Sequence, residues 1–201
     1  MPFAKHYEIF EVGAMLRAAE GTNSPVTGQA GHSRGLHATS GGGTTGATMV
    51  AMLDRVTKRP NESNSQFKQR DGTGKTGAFA TQVLQISAAT QALNSGPGQA
   101  ALAVLDDPTH AGAPLRIVMT IPIAKEYGFL ASSGAPSYAT VKKNDVAVTR
   151  VQASCSINMI IDRGAGGTTL QIQTCYPVDG VGIPASWSVK NFATKTVVAQ
   201  G

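Results

Sequence analysis

Apolar residues recur at two periods along this chain, and one gives way to the other near its middle. In roughly the first half they fall three to four positions apart. Phe3, Tyr7, Phe10 and Leu16 predict an amphipathic helix over residues 2–19, weakened by Gly13. Met49, Val50, Leu53 and Val56 predict a second over 44–58, stopped by "RPN". Phe79, Val83, Ile86 and Leu93 predict the strongest, over 76–94, closed by Gly96 and Pro97. Polar passages separate them: a Gly-rich stretch over 21–46 and the basic loop "NESNSQFKQRDGTGK".

After residue 100 the period shortens to two. The runs "LRIVMTIPI" at 115–123, "YATVKK" at 138–143, "VAVTRV" at 146–151, then "CSINMII" and "TLQIQTCY", read as short strands. Helices followed by consecutive strands predict an α+β fold, with N-terminal helices packed on a C-terminal antiparallel sheet and a cleft between them. In the last hairpin Ile157, Met159 and Ile161 alternate on one strand, and Leu170, Ile172, Thr174 and Tyr176 on the other. Putting both sets on one buried face requires an odd register around "DRGAGG", such as Cys155 opposite Thr174. Cys155 then faces the core and Cys175 points away, which opposes a disulfide and fits a reduced, intracellular site of action. Thr174 and Tyr176 continue the apolar face at its polar end, before Pro177, as the rim of a cleft.

The length of 201 residues suits one sizeable domain, read as a helical N-terminal extension over 1–27 and a single globular unit over 28–201. A charged fraction of 14% and 23 glycines predict abundant loops. The net charge of +5 favours a polyanionic partner. No apolar run reaches the length of about 18 residues needed to span a bilayer. The N-terminus carries acids and a lysine where a signal peptide needs a clean apolar stretch, so the segment is expected neither to span a membrane nor to export itself. With two cysteines and no C-x-x-C or H-E-x-x-H spacing, neither a metal site nor a cofactor is expected.

Of four histidines, His32 and His37 both lie in "GQAGHSRGLHATSGGGTTG", among Gly, Ser, Arg and Ala. Core histidines keep apolar company, so these two read as facing solvent or a ligand. Arg55 borders the Met49/Leu53 stripe, and Lys68, Arg70 and Lys75 make the next loop basic.

In their order, "GHSRGLH", the helical "MVAMLDRV", "NSQF", "FATQVLQISAATQALN" and "NMIIDRGAGGTTLQIQTCYP" resemble the RNase A-like toxin domains at the C-termini of bacterial contact-dependent inhibition and related polymorphic toxins. The resemblance covers roughly residues 31–178. In that family G-H-x-x-x-x-H opens the domain, an arginine follows on the next helix, and a hairpin ends in T-x-Y-P, here "TCYP". The resemblance implies a metal-independent endoribonuclease used in interbacterial competition. His37 would be the acid/base group, Arg55 the phosphate-binding arginine, and Thr174 and Tyr176 the closing pair. His32 would be the partner acid/base or a loop residue. The segment "ATSGGGTTGAT" is longer than the family pattern, which keeps Arg34 open as the alternative to Arg55.

Such a site needs no metal or cofactor. One group removes the 2′-OH proton as that oxygen attacks phosphorus, another protonates the leaving 5′-oxygen, and a 2′,3′-cyclic phosphate results. Arginine, threonine and tyrosine donors would hold the phosphate, and Lys68, Arg70 and Lys75 would contact the RNA backbone. The implied partners are RNA, tRNA among the candidates, and a cognate immunity protein. The implied setting is delivery within a larger effector, with action in the cytoplasm of the target cell. Two other readings stand beside it: a non-enzymatic Gly/Ala/Thr-rich structural or surface-binding module, and an ADP-ribosyltransferase toxin. The latter needs a glutamate in a Q/E-x-E context, and the acids after residue 120 are Glu126, Asp145, Asp162 and Asp179, none in that context.

Overall fold

Strict alternation along residues 115–123 organises the fold: Leu115, Ile117, Met119 and Ile121 are buried, while Arg116, Val118, Thr120 and Pro122 point the other way. This strand, β2 (Leu115–Ile123), is central in a five-stranded antiparallel sheet. Its companions are β4 (Cys155–Arg163), β5 (Gln171–Val178), β6 (Ser186–Asn191) and β7 (Thr196–Gln200), in the order β5-β4-β2-β6-β7. A separate ribbon pairs β1 (Lys75–Phe79) with β3 (Tyr138–Lys142) and lies against β5. The computed structural model describes residues 2–32, 59–69, 75–79, 81–123, 138–142, 155–178 and 183–201.

Helices cover one face of the sheet. α1 (Ile9–Ala19) packs on β5, α3 (Gln82–Asn94) on β2 and β4, and α4 (Gly96–Asp106) on β2 and β6. A shorter helix, α2 (Asn64–Gln69), precedes β1. Val12 and Leu16 of α1, Ala88, Ala92 and Leu93 of α3, and Ala101 and Leu102 of α4 meet Ile117, Met119, Ile157, Met159 and Ile172 of the sheet, all fully buried. Alanines on α3 bring that helix close to the strands. Each fully buried Leu, Ile or Met contributes about 1.5–3 kcal/mol of transfer free energy. The α+β fold expected from the two periods is therefore the one adopted. This core fills the centre of the helix–sheet interface among the described residues. No described helix is long and apolar enough to cross a membrane.

Several element boundaries differ from the pattern, each for a tertiary reason. The first helix begins at Ile9 instead of residue 2, because side chains from α3 and α4 take the backbone groups of residues 3–7. Asp106 accepts from the amides of Phe3 and Ala4 at 2.7 and 2.8 Å. Asn94 both accepts from Tyr7 N and donates to Tyr7 O, each at 2.8 Å. The helix expected from residue 76 begins at Gln82, capped by Thr81, whose hydroxyl accepts from Leu84 N at 3.1 Å. Residues 75–79 are instead a strand paired with β3.

Pro97 does end a helix, as expected, but it also opens the next. Ser95 Oγ donates to Ala92 O and accepts from Gly98 N, closing α3 and capping α4 in one residue. A Cβ on Gly98 would lie 1.9 Å from Ala92 O, so only glycine fits that turn. The basic loop contains α2, and the tail beyond the resemblance forms β6 and β7. The helix expected over 44–58 and the strand over 146–151 lie outside the described residues.

The last hairpin departs most. From the turn it runs with Asp162 opposite Gln171 and Ile161 opposite Ile172, and then a bulge at Gln173 slips β5 by one residue. Thereafter Ile160 faces Thr174, Met159 faces Cys175 and Asn158 faces Tyr176. A one-residue slip sends every later side chain to the other face. Cys175 therefore joins the core, fully buried, instead of pointing away. Burial pushes its thiol well above the ordinary range. In a Cys155→Ser variant a thiol reagent at pH 8 is expected to leave Cys175 unmodified in the native protein and to react after denaturation. Prompt native labelling would show the bulge to be misassigned.

Candidate functional site

The same slip turns Thr174 and Tyr176 onto the face of the sheet directed away from α1, α3 and α4, beside Ile160 and Asn158. This corrects the expectation that they extend the Ile157/Met159/Ile161 face. Asn158 Nδ2 donates to Tyr176 Oη at 2.6 Å. Thr174 is 5% exposed, yet its Oγ1 has no hydrogen-bond partner among the described residues, and neither have Asn158 Oδ1 and Gln173 Nε2. Buried polar atoms are almost always satisfied, and one left bare costs about 1–3 kcal/mol. Three in neighbouring residues of one hairpin mark a place where a ligand's polar groups would be welcome. From the core side, Gln85 of α3 braces the strand by donating Nε2 to Cys175 O at 3.0 Å.

The chain leading into the histidine segment runs along this part of β5. His32 N donates to Gln173 O at 3.1 Å, Gly31 N donates to Thr22 O at 3.0 Å, and Gln171 Nε2 donates to Thr22 O at 2.8 Å. Gly31 is buried between α1 and β5, where a Cβ would come within 2.3 Å of Ala19 O. That close approach is the physical reason for glycine before His32. The His32 side chain is exposed.

Residues 24–27 are tied to the outer face by a buried carboxylate. Asp162, fully buried, accepts from Arg116 Nε and Nη2 at 2.7 Å each and from Ser24 Oγ at 2.5 Å. Ser24 Oγ in turn accepts from Val26 N and Thr27 N. Arg116 stacks on Phe192 at 5.0 Å. Arg163, next along β4, is buried separately and donates to the carbonyls of Leu105, His110 and Ala113, closing the end of α4. Burial lowers its guanidinium below its ordinary range, an effect the charge of nearby Asp106 only partly offsets.

The structure thus brings the backbone of His32 beside the bulge that carries Thr174 and Tyr176. His37, Arg55, Arg34 and Arg70 lie outside the described residues. Lys68 belongs to α2, and Lys75 opens β1, opposite Lys142 in the ribbon against β5. Asn158, Gln173 and the Asp162–Arg116 pair are additions that periodicity did not single out. Asn158 alone left a signal, a polar residue between the apolar positions of "INMII". A cavity of about 570 Å³ between α1 and residues 168–171 contains none of the candidate residues. No family model matches this chain, and comparison with curated proteins and with solved structures yields no match either.

Proposed function

We propose that this chain is a metal-independent endoribonuclease of the toxin type, cleaving RNA by attack of the 2′-oxygen on the adjacent phosphorus. The observation that carries the reading is the bond from His32 N to Gln173 O, which joins the start of the histidine motif to the strand bearing Thr174 and Tyr176. Five residues of chain span at most about 18 Å, so His37 is tethered within that distance of His32. The start of one motif thus lies beside a strand some 140 residues later in sequence that carries the other.

In the proposed step a histidine takes the 2′-OH proton, the bond from O2′ to phosphorus forms, and the bond to O5′ breaks as a second acid protonates it. His37 takes the first role or the second, and His32 is the candidate partner. Arg55, or Arg34, neutralises the phosphate. The Thr174 hydroxyl, bare in its buried position, and the Tyr176 phenol, oriented by Asn158, offer neutral donors to the non-bridging oxygens. The net charge of +5 suits the polyanionic substrate. A cognate immunity protein, delivery within a larger effector and action in the target cell's cytoplasm belong to the same proposal.

The test is incubation of purified protein with total RNA in EDTA, with the ends of the fragments analysed. Cleavage leaving 2′,3′-cyclic phosphates and 5′-hydroxyls is expected. Intact RNA, or cleavage only with added divalent metal, overturns the reading.

A further inference from the structure

The outer face of the sheet carries a second feature, three strands from Tyr176. Phe192, at the start of the β6–β7 turn, is approached by three cations: Lys195 at 4.6 Å, Arg116 at 5.0 Å and Lys190 at 5.7 Å from its ring centre. Arg116 is compensated by Asp162. Lys190 and Lys195 form no ion pair among the described residues. Lys190 stands directly opposite Arg116 on the same outer face. Lys195 has a left-handed backbone, φ 61°, in the turn that holds its ammonium over the ring. Phe192 itself is anchored by its amide, which donates to Pro114 O at 2.9 Å.

Two uncompensated ammonium groups steadied by one aromatic ring form a pre-positioned anion contact. Each such cation–π contact is worth about 0.5–1 kcal/mol at an exposed site, and it restrains lysines that would otherwise sweep freely. The rows between this cluster and the candidate site carry no charge: Ile160, Val118 and Ser188 in the Thr174 row, Asn158, Thr120 and Ser186 in the Tyr176 row. Val118 is 38% exposed, so the face is open at β2. Four residues along β6 and three strand spacings across put Lys190 about 19 Å from Tyr176, within reach of one extended oligonucleotide.

We infer that the outer sheet face is the docking surface for a single RNA strand, whose phosphates beyond the cleaved bond are held by Lys190 and Lys195 beside Phe192. The identity of the strand as RNA rests on the ribonuclease reading. The placement of its contacts rests on the sheet register and the cation cluster.

The test is salt-dependent binding of the full chain to a fluorescent 2′-O-methyl RNA oligonucleotide, which lacks the attacking hydroxyl and is read by anisotropy. Each single-strand phosphate contact contributes about 0.7 to the slope of log K against log salt. Lys190→Gln/Lys195→Gln is therefore expected to reduce that slope by about 1.4 and weaken binding more than about tenfold at 0.1 M salt. Lys195→Gln alone, on an exposed turn, is expected to remove about half of the slope change. Lys5→Gln, a lysine on the helix side, should leave it unchanged. No binding by the wild type, or an unchanged slope in the double and single variants, overturns the inference. Binding with the expected slope change but no cleavage of unmodified RNA sustains this surface and removes the ribonuclease reading. Cleavage with an unchanged slope does the reverse.

Discussion

Replacing His37 by alanine is expected to lower RNA cleavage by about 10²- to 10⁴-fold, the usual effect of losing a general acid or base. The expectation follows from what the other proposed groups are able to do. In the proposed step the hydroxyls of Thr174 and Tyr176 serve as hydrogen-bond donors and an arginine as a fixed charge, which leaves the acid–base role to another side chain. A histidine is the side chain that titrates in that range without perturbation. His32 and His37 are the two in the motif, and losing either separates the shared labour. His37 is flanked by Leu36 and Ala38 in a Gly- and Ser-rich stretch, so the alanine variant should melt within about 1 kcal/mol of the wild type. Cleavage of a defined oligonucleotide, followed by thermal melting of both proteins, decides the matter. Wild-type cleavage by a folded His37→Ala protein would remove this residue from the mechanism.

Asp162→Ala is expected to cost about 3–5 kcal/mol of stability, the penalty for leaving a buried charge without its partner. Asp162 is fully buried, takes both ends of a forked contact from Arg116, and holds Ser24. Its loss leaves a guanidinium with a side chain only 17% exposed and no counterion. Ser24 would also lose the contact through which residues 24–27 are fixed to the sheet, and these lead directly to Gly31 and His32. Urea denaturation should therefore shift, and cleavage should fall with it. The double variant Asp162→Leu/Arg116→Met should recover most of the stability, because the buried charge is removed along with its partner. A loss under about 1 kcal/mol in Asp162→Ala, or no recovery in the double variant, would show the pair to be a surface contact of little weight.

The two proposals divide the outer face between them. Chemistry would belong to the β4–β5 end, where a bulge turns Thr174 and Tyr176 onto the outer face beside the incoming histidine segment. Strand binding would belong to the β6–β7 end, which lies wholly outside the resemblance to the toxin family. A truncation at residue 178 would for that reason be a poor model of the active unit, since β6 is also hydrogen-bonded to β2 in the middle of the sheet.

The fold class was legible in the chain because periodicity reports burial directly. A period near 3.6 followed by a period of two leaves helices and an antiparallel sheet with one apolar face each, and those faces have to meet. β2 and the apolar side of β4 were readable to the residue for this reason. What the pattern left undecided were the places where a tertiary partner outbids local preference. Residues 3–7 have helical spacing, but Asn94 and Asp106 supply their backbone groups with other partners. Pro97 reads as a stop, and only the packing of α3 against α4 makes it a start as well. Thr174, Cys175 and Tyr176 alternate as any strand does, and the sequence has no mark for the extra residue at Gln173. That single bulge, set by how β5 lies against β4, α1 and the Gly31 segment, decided which face carries the candidate chemistry. The kinds of residue were readable from the chain, whereas their facing was a property of the assembled sheet, because a register slip of one residue reverses every side chain beyond it.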